Sequence, residues 1–221
     1  MIQTFQFDNI TVAVARIEEC ERVQLSDSQQ RDVDSLSIEK RRRERKACYW
    51  LINNFFSADT LIVHHSDGAP MLVDRNGNPL AEISFSLSHS LEYAAIAFSK
   101  SVQPLGVDIE QPSAKIRRVA SKFLSERELA DFADDTKLLA AWTAKEAAYK
   151  LARIPGLPLI EGISLRLITT ASPLLWDITI NQNVTHPLDS IALPSAPTTA
   201  TFATAVTHQL PDGTCITLAK Q

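Results

Sequence analysis

Leu105-Gly106-Val107-Asp108-Ile109-Glu110 is the stretch on which the reading of this chain turns. Val107 and Ile109 alternate with Asp108 and Glu110, the period of a β-strand, so two apolar side chains project to one side and two carboxylates to the other. Gln103-Pro104 precedes the strand and Pro112 ends it. That places a seam at Pro104 and predicts two halves, 1–103 and 104–221. Two like charges this close oppose each other unless a cation or a hydrogen-bond network compensates them, and closely spaced carboxylate oxygens suit magnesium. A solvent-facing acidic edge is the simpler alternative for the same pair.

Upstream of the seam, Ile83-Ser84-Phe85-Ser86-Leu87-Ser88 alternates strictly, which predicts a half-buried strand with His89 at its end. Tyr93 to Ser99 is a second strand, so residues 84–99 read as an antiparallel pair joined by Ser90-Leu91-Glu92. Ser88-His89-Ser90 offers three hydrogen-bonding side chains at that strand end. Asp74-Arg75-Asn76-Gly77-Asn78-Pro79 is turn-rich, with Asn-Gly marking a tight turn. Ser37 to Phe56 reads as a helix with a basic first half, KRRRERK from Lys40 to Lys46, and Thr11 to Ala15 as a short strand. On that helix Arg41, Arg45 and Cys48 share one side. Two guanidinium groups there could hold a phosphate, or the run could be a solvated face.

Downstream, Ile116, Val119 and Phe123 fall at helical spacing, and Ser125-Glu126-Arg127-Glu128 is a capping-box pattern that would open a short helix. A longer helix follows, with Asp135 or Thr136 as its cap. Leu139, Trp142, Glu146, Tyr149 and Arg153 recur along it at three- and four-residue steps, and Pro155-Gly156 stops it. Glu146 and Lys150 stand at i and i+4, a pair worth only ~0.3 kcal/mol on an exposed helix. Trp142 lies one turn before Glu146 on the same stripe, which predicts a partly buried face. Ile163 to Ile168 and the Thr/Ala/Val-rich tail to Leu218 read as strands that close the second half.

Composition narrows the function classes. Hydrophobic residues make up 45% and charged residues 22%, an ordinary globular balance. A net charge of −4 lacks the basic footprint of a duplex binder, so nucleic acid is not expected as a partner. The longest apolar runs, Ala47 to Ile52 and Tyr93 to Phe98, fall far short of the ~20 residues of a membrane span. The opening MIQTFQFDNI has neither a basic leader nor a long apolar stretch, so no signal peptide is expected. Three scattered cysteines, Cys20, Cys48 and Cys215, suit a reducing cytosol, and His64-His65 have no third ligand at metal spacing.

The order of these features is more specific than any one of them. A basic helix, a Gly-x-Pro turn, a strand ending Ser-His-Ser, the strand Gly106 to Glu110 and the helix segment Trp142-Thr143-Ala144-Lys145-Glu146-Ala147-Ala148-Tyr149-Lys150 follow one another. Together they resemble the phosphopantetheinyl transferases of the surfactin-type class, whose two diagnostic stretches both match without a mismatch. The resemblance extends over residues 35–170 and includes Arg117 to Ala120 and Lys122 to Glu128.

It implies an α+β fold of two similar halves related by a pseudo-twofold, with the active site in the cleft between them. It also implies transfer of the phosphopantetheine arm of coenzyme A to a serine of an apo acyl or peptidyl carrier protein, leaving 3',5'-ADP, by a cytoplasmic enzyme expected to work as a monomer. Asp108, Glu110 and Glu146 would hold magnesium on the coenzyme's pyrophosphate. Glu146 would also receive the serine proton, directly or through water, while Lys150 would bind the pyrophosphate. Ser88 and His89 match the pair at the coenzyme's 3'-phosphate end, Gly77 and Pro79 a turn near the adenine, and Lys145, Arg41 and Arg45 further coenzyme-side positions. The chain departs from the family at Asn78, where a lysine is usual, and at Cys48-Tyr49, where Thr-Arg is common. Those departures favour, as the alternative, a catalytically silent module that binds coenzyme A or the carrier. An unrelated magnesium phosphohydrolase on the same carboxylates is a third reading.

Overall fold

The computed structural model describes residues 1–182, 184 and 200–221. The described chain is a mixed α/β protein that divides into two compact units, Met1–Ile109 and Glu110–Gln221. The residues of the Thr- and Ala-rich tail that precede Ala200 lie outside the described residues.

In the first unit β1 (Gln3–Phe7) and β2 (Ile10–Arg16) form a hairpin. After α1 (Asp27–Asp34) and α2 (Glu39–Asn53) comes a small hairpin of β3 (Leu61–His64) and β4 (Pro70–Val73). Then β5 (Ser84–His89) and β6 (Tyr93–Ser99) pair antiparallel with Ser84 opposite Ser99, as the alternation predicts. The main sheet has the order β1-β2-β6-β5. Every residue of β6 is buried, and its alanines Ala94, Ala95 and Ala97 leave room for covering elements to come close. From α2 the apolar residues Ala47, Cys48, Leu51 and Ile52 enter the same core, while Lys40, Arg41 and Arg43 of its first half stay exposed. Burial of each larger side chain of this set contributes ~1.5–3 kcal/mol.

The unit ends within β7 (Leu105–Glu110), which coincides with the decisive stretch and whose last residue, Glu110, opens the second unit. It is held by a row of serines. Alternation puts Ser84, Ser86 and Ser88 of β5 on one face. Ser84 Oγ accepts from the Gln103 amide at 2.8 Å, Ser86 Oγ accepts from the Val107 amide at 3.1 Å, and Ser88 Oγ donates to Asp108 Oδ1 at 2.7 Å.

In the second unit α3 (Ile116–Val119) runs into a short 3-10 turn, followed by α4 (Glu126–Asp131) and α5 (Asp135–Ala152). The capping box at Ser125 and Glu128 forms as its pattern predicts. The cap of α5 is Asp134, one residue before the expected position, because its carboxylate accepts from the Lys137 amide at 2.8 Å. Four strands, β8 (Ile163–Leu167), β9 (Leu174–Asn181), β10 (Ala200–Gln209) and β11 (Cys215–Lys220), pair antiparallel in chain order. Trp176, Ile178 and Ile180 of β9 point to the core face at a period of two, and α5 lies across it. The middle of its contact face is built of small residues, Ala140, Ala141, Ala144, Ala147 and Ala148, all at 0% exposure, with Leu138, Leu139 and Leu151 buried toward the ends.

Candidate active site

The helix motif from Trp142 to Lys150 is largely a docking device. Trp142 packs edge-on against Phe123, with ring centroids 4.7 Å apart, and donates from its indole nitrogen to Glu110 Oε1 at 3.3 Å. Thr143 is buried at the head of a hydrogen-bond chain. Its hydroxyl must donate to the Ala140 carbonyl (3.0 Å), since a carbonyl only accepts. It therefore accepts from Thr217 (2.7 Å), Thr217 accepts from Thr207 (2.7 Å), and Thr207 accepts from the Trp176 indole (2.9 Å). All four groups are satisfied by donation in one direction, and the chain ties α5 to β11, β10 and β9.

Lys145 is 0% exposed. Its ammonium donates to Glu128 (3.0 Å to Oε1), to the Leu159 carbonyl (2.9 Å) and to the Ile163 carbonyl. Burial pushes its pKa below the ordinary lysine value, with the Glu128 carboxylate acting in the opposite sense. The position expected on the coenzyme side is thus interior, because three acceptors around it use all three of its donors. Glu146 and Lys150, by contrast, remain half-buried, as Trp142 on their stripe predicts.

The acidic strand splits its two carboxylates between different partners. Asp108, 4% exposed, accepts from Ser88, and the half-buried Glu110 accepts from Trp142. Among the described residues, no group of three or more His, Cys, Asp or Glu is gathered so as to hold a metal ion. The donors themselves are hard carboxylate oxygens, the ligand type that magnesium takes.

At the end of β5, His89 Nδ1 lies 3.4 Å from Glu44 Oε1, and the Lys40 ammonium lies 3.6 Å from the same oxygen. Glu44 is buried although it sits inside the basic run. A lone acid four residues after Lys40 is a signal in the sequence for a helix-face pair, masked here by the arginines around it. Of the basic-helix candidates, Arg41 is exposed, whereas Arg45 faces Asp32 at 3.7 Å and donates to the Ile62 carbonyl at 3.5 Å. Tyr49 is fully buried, and its hydroxyl donates to Asp32 at 2.7 Å and accepts from the Ile62 amide at 3.4 Å. A tyrosine where the family has arginine is therefore a core strut here.

The turn departure has a local cause as well. Gly77 takes φ 83, and Pro79 bridges to Val73. The Asn78 side chain donates to Asp74 at 3.0 Å, and the amides of Asn76 and Asn78 donate to the same carboxylate at 2.8 and 2.9 Å. These bonds, those from Asn78 foremost, hold the Asp74 carboxyl below its ordinary range. Asn78 is thus part of what closes the turn.

Among the described residues no helix is long and apolar enough to cross a membrane. No curated protein matches the chain. A family match covers residues 104–191 and so takes in β7 and the whole of α5. The family matched over residues 104–191 is the 4'-phosphopantetheinyl transferase superfamily, a family of transferases that in general use coenzyme A and act on carrier proteins.

Proposed function

We propose that this chain is a surfactin-type phosphopantetheinyl transferase that moves the arm of coenzyme A onto a serine of an apo acyl or peptidyl carrier protein and releases 3',5'-ADP. The observation that carries the reading is the family match over residues 104–191, which encloses both the paired carboxylates of β7 and the lysine-glutamate helix α5. Asp108, Glu110 and Glu146 are the residues that would hold magnesium. The ion would offset charge on the pyrophosphate.

The carrier serine oxygen forms a bond to the phosphorus that bears the pantetheine arm, and the bond from that phosphorus to the departing 3',5'-ADP breaks. The serine proton passes to Glu146, a carboxylate whose half-buried position leaves it reachable. Lys150, one turn further along α5, supplies a fixed positive charge for the pyrophosphate. Ser88 and His89 serve the 3'-phosphate end, with Gly77 and Pro79 near the adenine. Arg41, exposed on α2, is a further cation for a phosphate, and Arg45 stands one turn from it.

Incubation with coenzyme A, magnesium and a panel of apo carriers, read by intact mass, should show addition of the arm. Glu146→Gln should lower kcat by about 10²–10⁴-fold with the fold intact. Absence of a mass gain on every carrier refutes the transferase reading. Measurable coenzyme binding without turnover would favour the silent-module alternative, to which Asn78 and Cys48-Tyr49 lend some support.

A further inference from the structure

We infer that Lys145 is a positioning residue, one that fixes the rotation and height of α5 and so sets where Glu146 and Lys150 stand, and that it does not touch coenzyme. This rests on the transferase reading. Lys145 is the interior member of a node joining three pieces of the second unit. Its ammonium reaches Glu128 on α4 at 3.0 Å and the carbonyls of Leu159 and Ile163 on the segment that leads into β8. On the other side of the pair, Glu128 accepts from the Ser125 amide at 2.9 Å, the Ser125 hydroxyl at 3.0 Å and the Leu165 amide at 2.8 Å. Neither charge has a donor or acceptor left over for a ligand.

Such a pair is a poor device for stability alone, because desolvating both charges offsets most of their attraction. It is a good device for location. An ammonium with three acceptors in three directions tolerates little sliding or rotation of the helix that carries it. Glu146 is the next residue, about 100° further round the same helix, so its direction follows from that of Lys145. The apolar part of the contact face, five alanines with Leu138, Leu139 and Leu151 toward the ends, adds burial without a directional bond.

The test is a double-mutant cycle on kcat and on KM for coenzyme A, with Lys145→Met, Glu128→Gln and the double variant. Glu128 lies on α4 and serves as the control, since the transferase reading gives it no contact with coenzyme. Positioning predicts that each single variant lowers kcat by about tenfold to a hundredfold with KM for coenzyme A unchanged within about twofold, and that the double variant loses no more than the worse single. If a single variant fails to fold for want of its partner, the double variant, which removes both charges, decides alone. A KM for coenzyme A that rises in Lys145→Met but not in Glu128→Gln overturns the inference, as does a double variant with wild-type kcat.

Lysine acetylation mapped by mass spectrometry gives a readout free of turnover. Lys145 should stay unmodified in the native protein with and without coenzyme A, and modification that coenzyme A suppresses would assign it to the ligand. Should the wild type transfer nothing to any carrier, the transferase reading falls and the positioning role falls with it. Active wild type with either of the contrary kinetic results removes the positioning role only.

Discussion

Replacing Thr217 by valine tests how α5 is attached to its sheet. The substitution is close to isosteric and the site is 0% exposed, so shape is kept and only the hydroxyl is lost. In the one-directional chain Thr217 accepts from Thr207 and donates to Thr143, both at 2.7 Å. The variant leaves the Thr207 hydroxyl without an acceptor and Thr143 without its incoming donor. An unsatisfied buried donor costs ~1–3 kcal/mol. For a protein of this size each kcal/mol moves Tm by roughly 2–4 °C, so a thermal melt followed by circular dichroism should drop by roughly 2–12 °C. Thr217→Ser keeps the hydroxyl and should recover most of that loss. A valine variant that melts with the wild type, or a serine variant that melts as low as the valine one, would show that these hydroxyls are not linked as described.

Two other outcomes follow from the same coordinates. Asp134→Ala removes the cap of α5 and should cost about 1 kcal/mol at neutral pH. The hydrogen bond from the Lys137 amide holds the folded-state Asp134 carboxyl below its ordinary 3.8, so the cap contributes fully above 3.8 and is lost as pH falls through the lower folded value. Urea titrations at pH 7 and pH 2.5 should therefore show a gap that closes in acid; a gap of equal size at both would refute the ionic part of the cap. Burial pushes the thiols of Cys20 and Cys215 up to about 12, which leaves roughly one part in ten thousand as thiolate at pH 8. A thiol reagent should react with neither in the native protein and with both in denaturant, as read by mass.

Much of the strand pattern was legible because it depends on period alone. β5, β6 and β7 fall within a residue of their reading, since strict alternation or a fully buried run admits few other conformations. α1, Asp27–Asp34, went unread because it has almost no apolar stripe; only Gln29 and Val33 are buried on it. β1 is an edge strand with mostly exposed residues, and in β9 the adjacent Leu174 and Leu175 blur the alternation that Trp176, Ile178 and Ile180 make clear afterwards.

At the proposed site, residue types and spacing single out Asp108, Glu110, Glu146 and Lys150 as candidates, but say nothing of their neighbours. Spacing along one helix does not say which of two adjacent charges turns inward. Lys145 is interior because Glu128, Leu159 and Ile163, which are distant in sequence, converge on it. The serines of β5 read as strand residues, and only the return of residues 103–108 beside them gives that row its task. Glu44 was hidden by the arginines around it.

The alanine-lined underside of α5 has a broader consequence. A helix whose contact face is Ala140, Ala141, Ala144, Ala147 and Ala148 along its middle, with the buried leucines Leu138, Leu139 and Leu151 toward its ends, meets its sheet at the centre like a smooth rail. Polar detents, the threonine chain on one flank and the lysine node on the other, add direction to that packing. Evolution of this helix toward greater hydrophobic burial would gain adhesion and lose registration, so a hardier descendant of this protein would be a slower one.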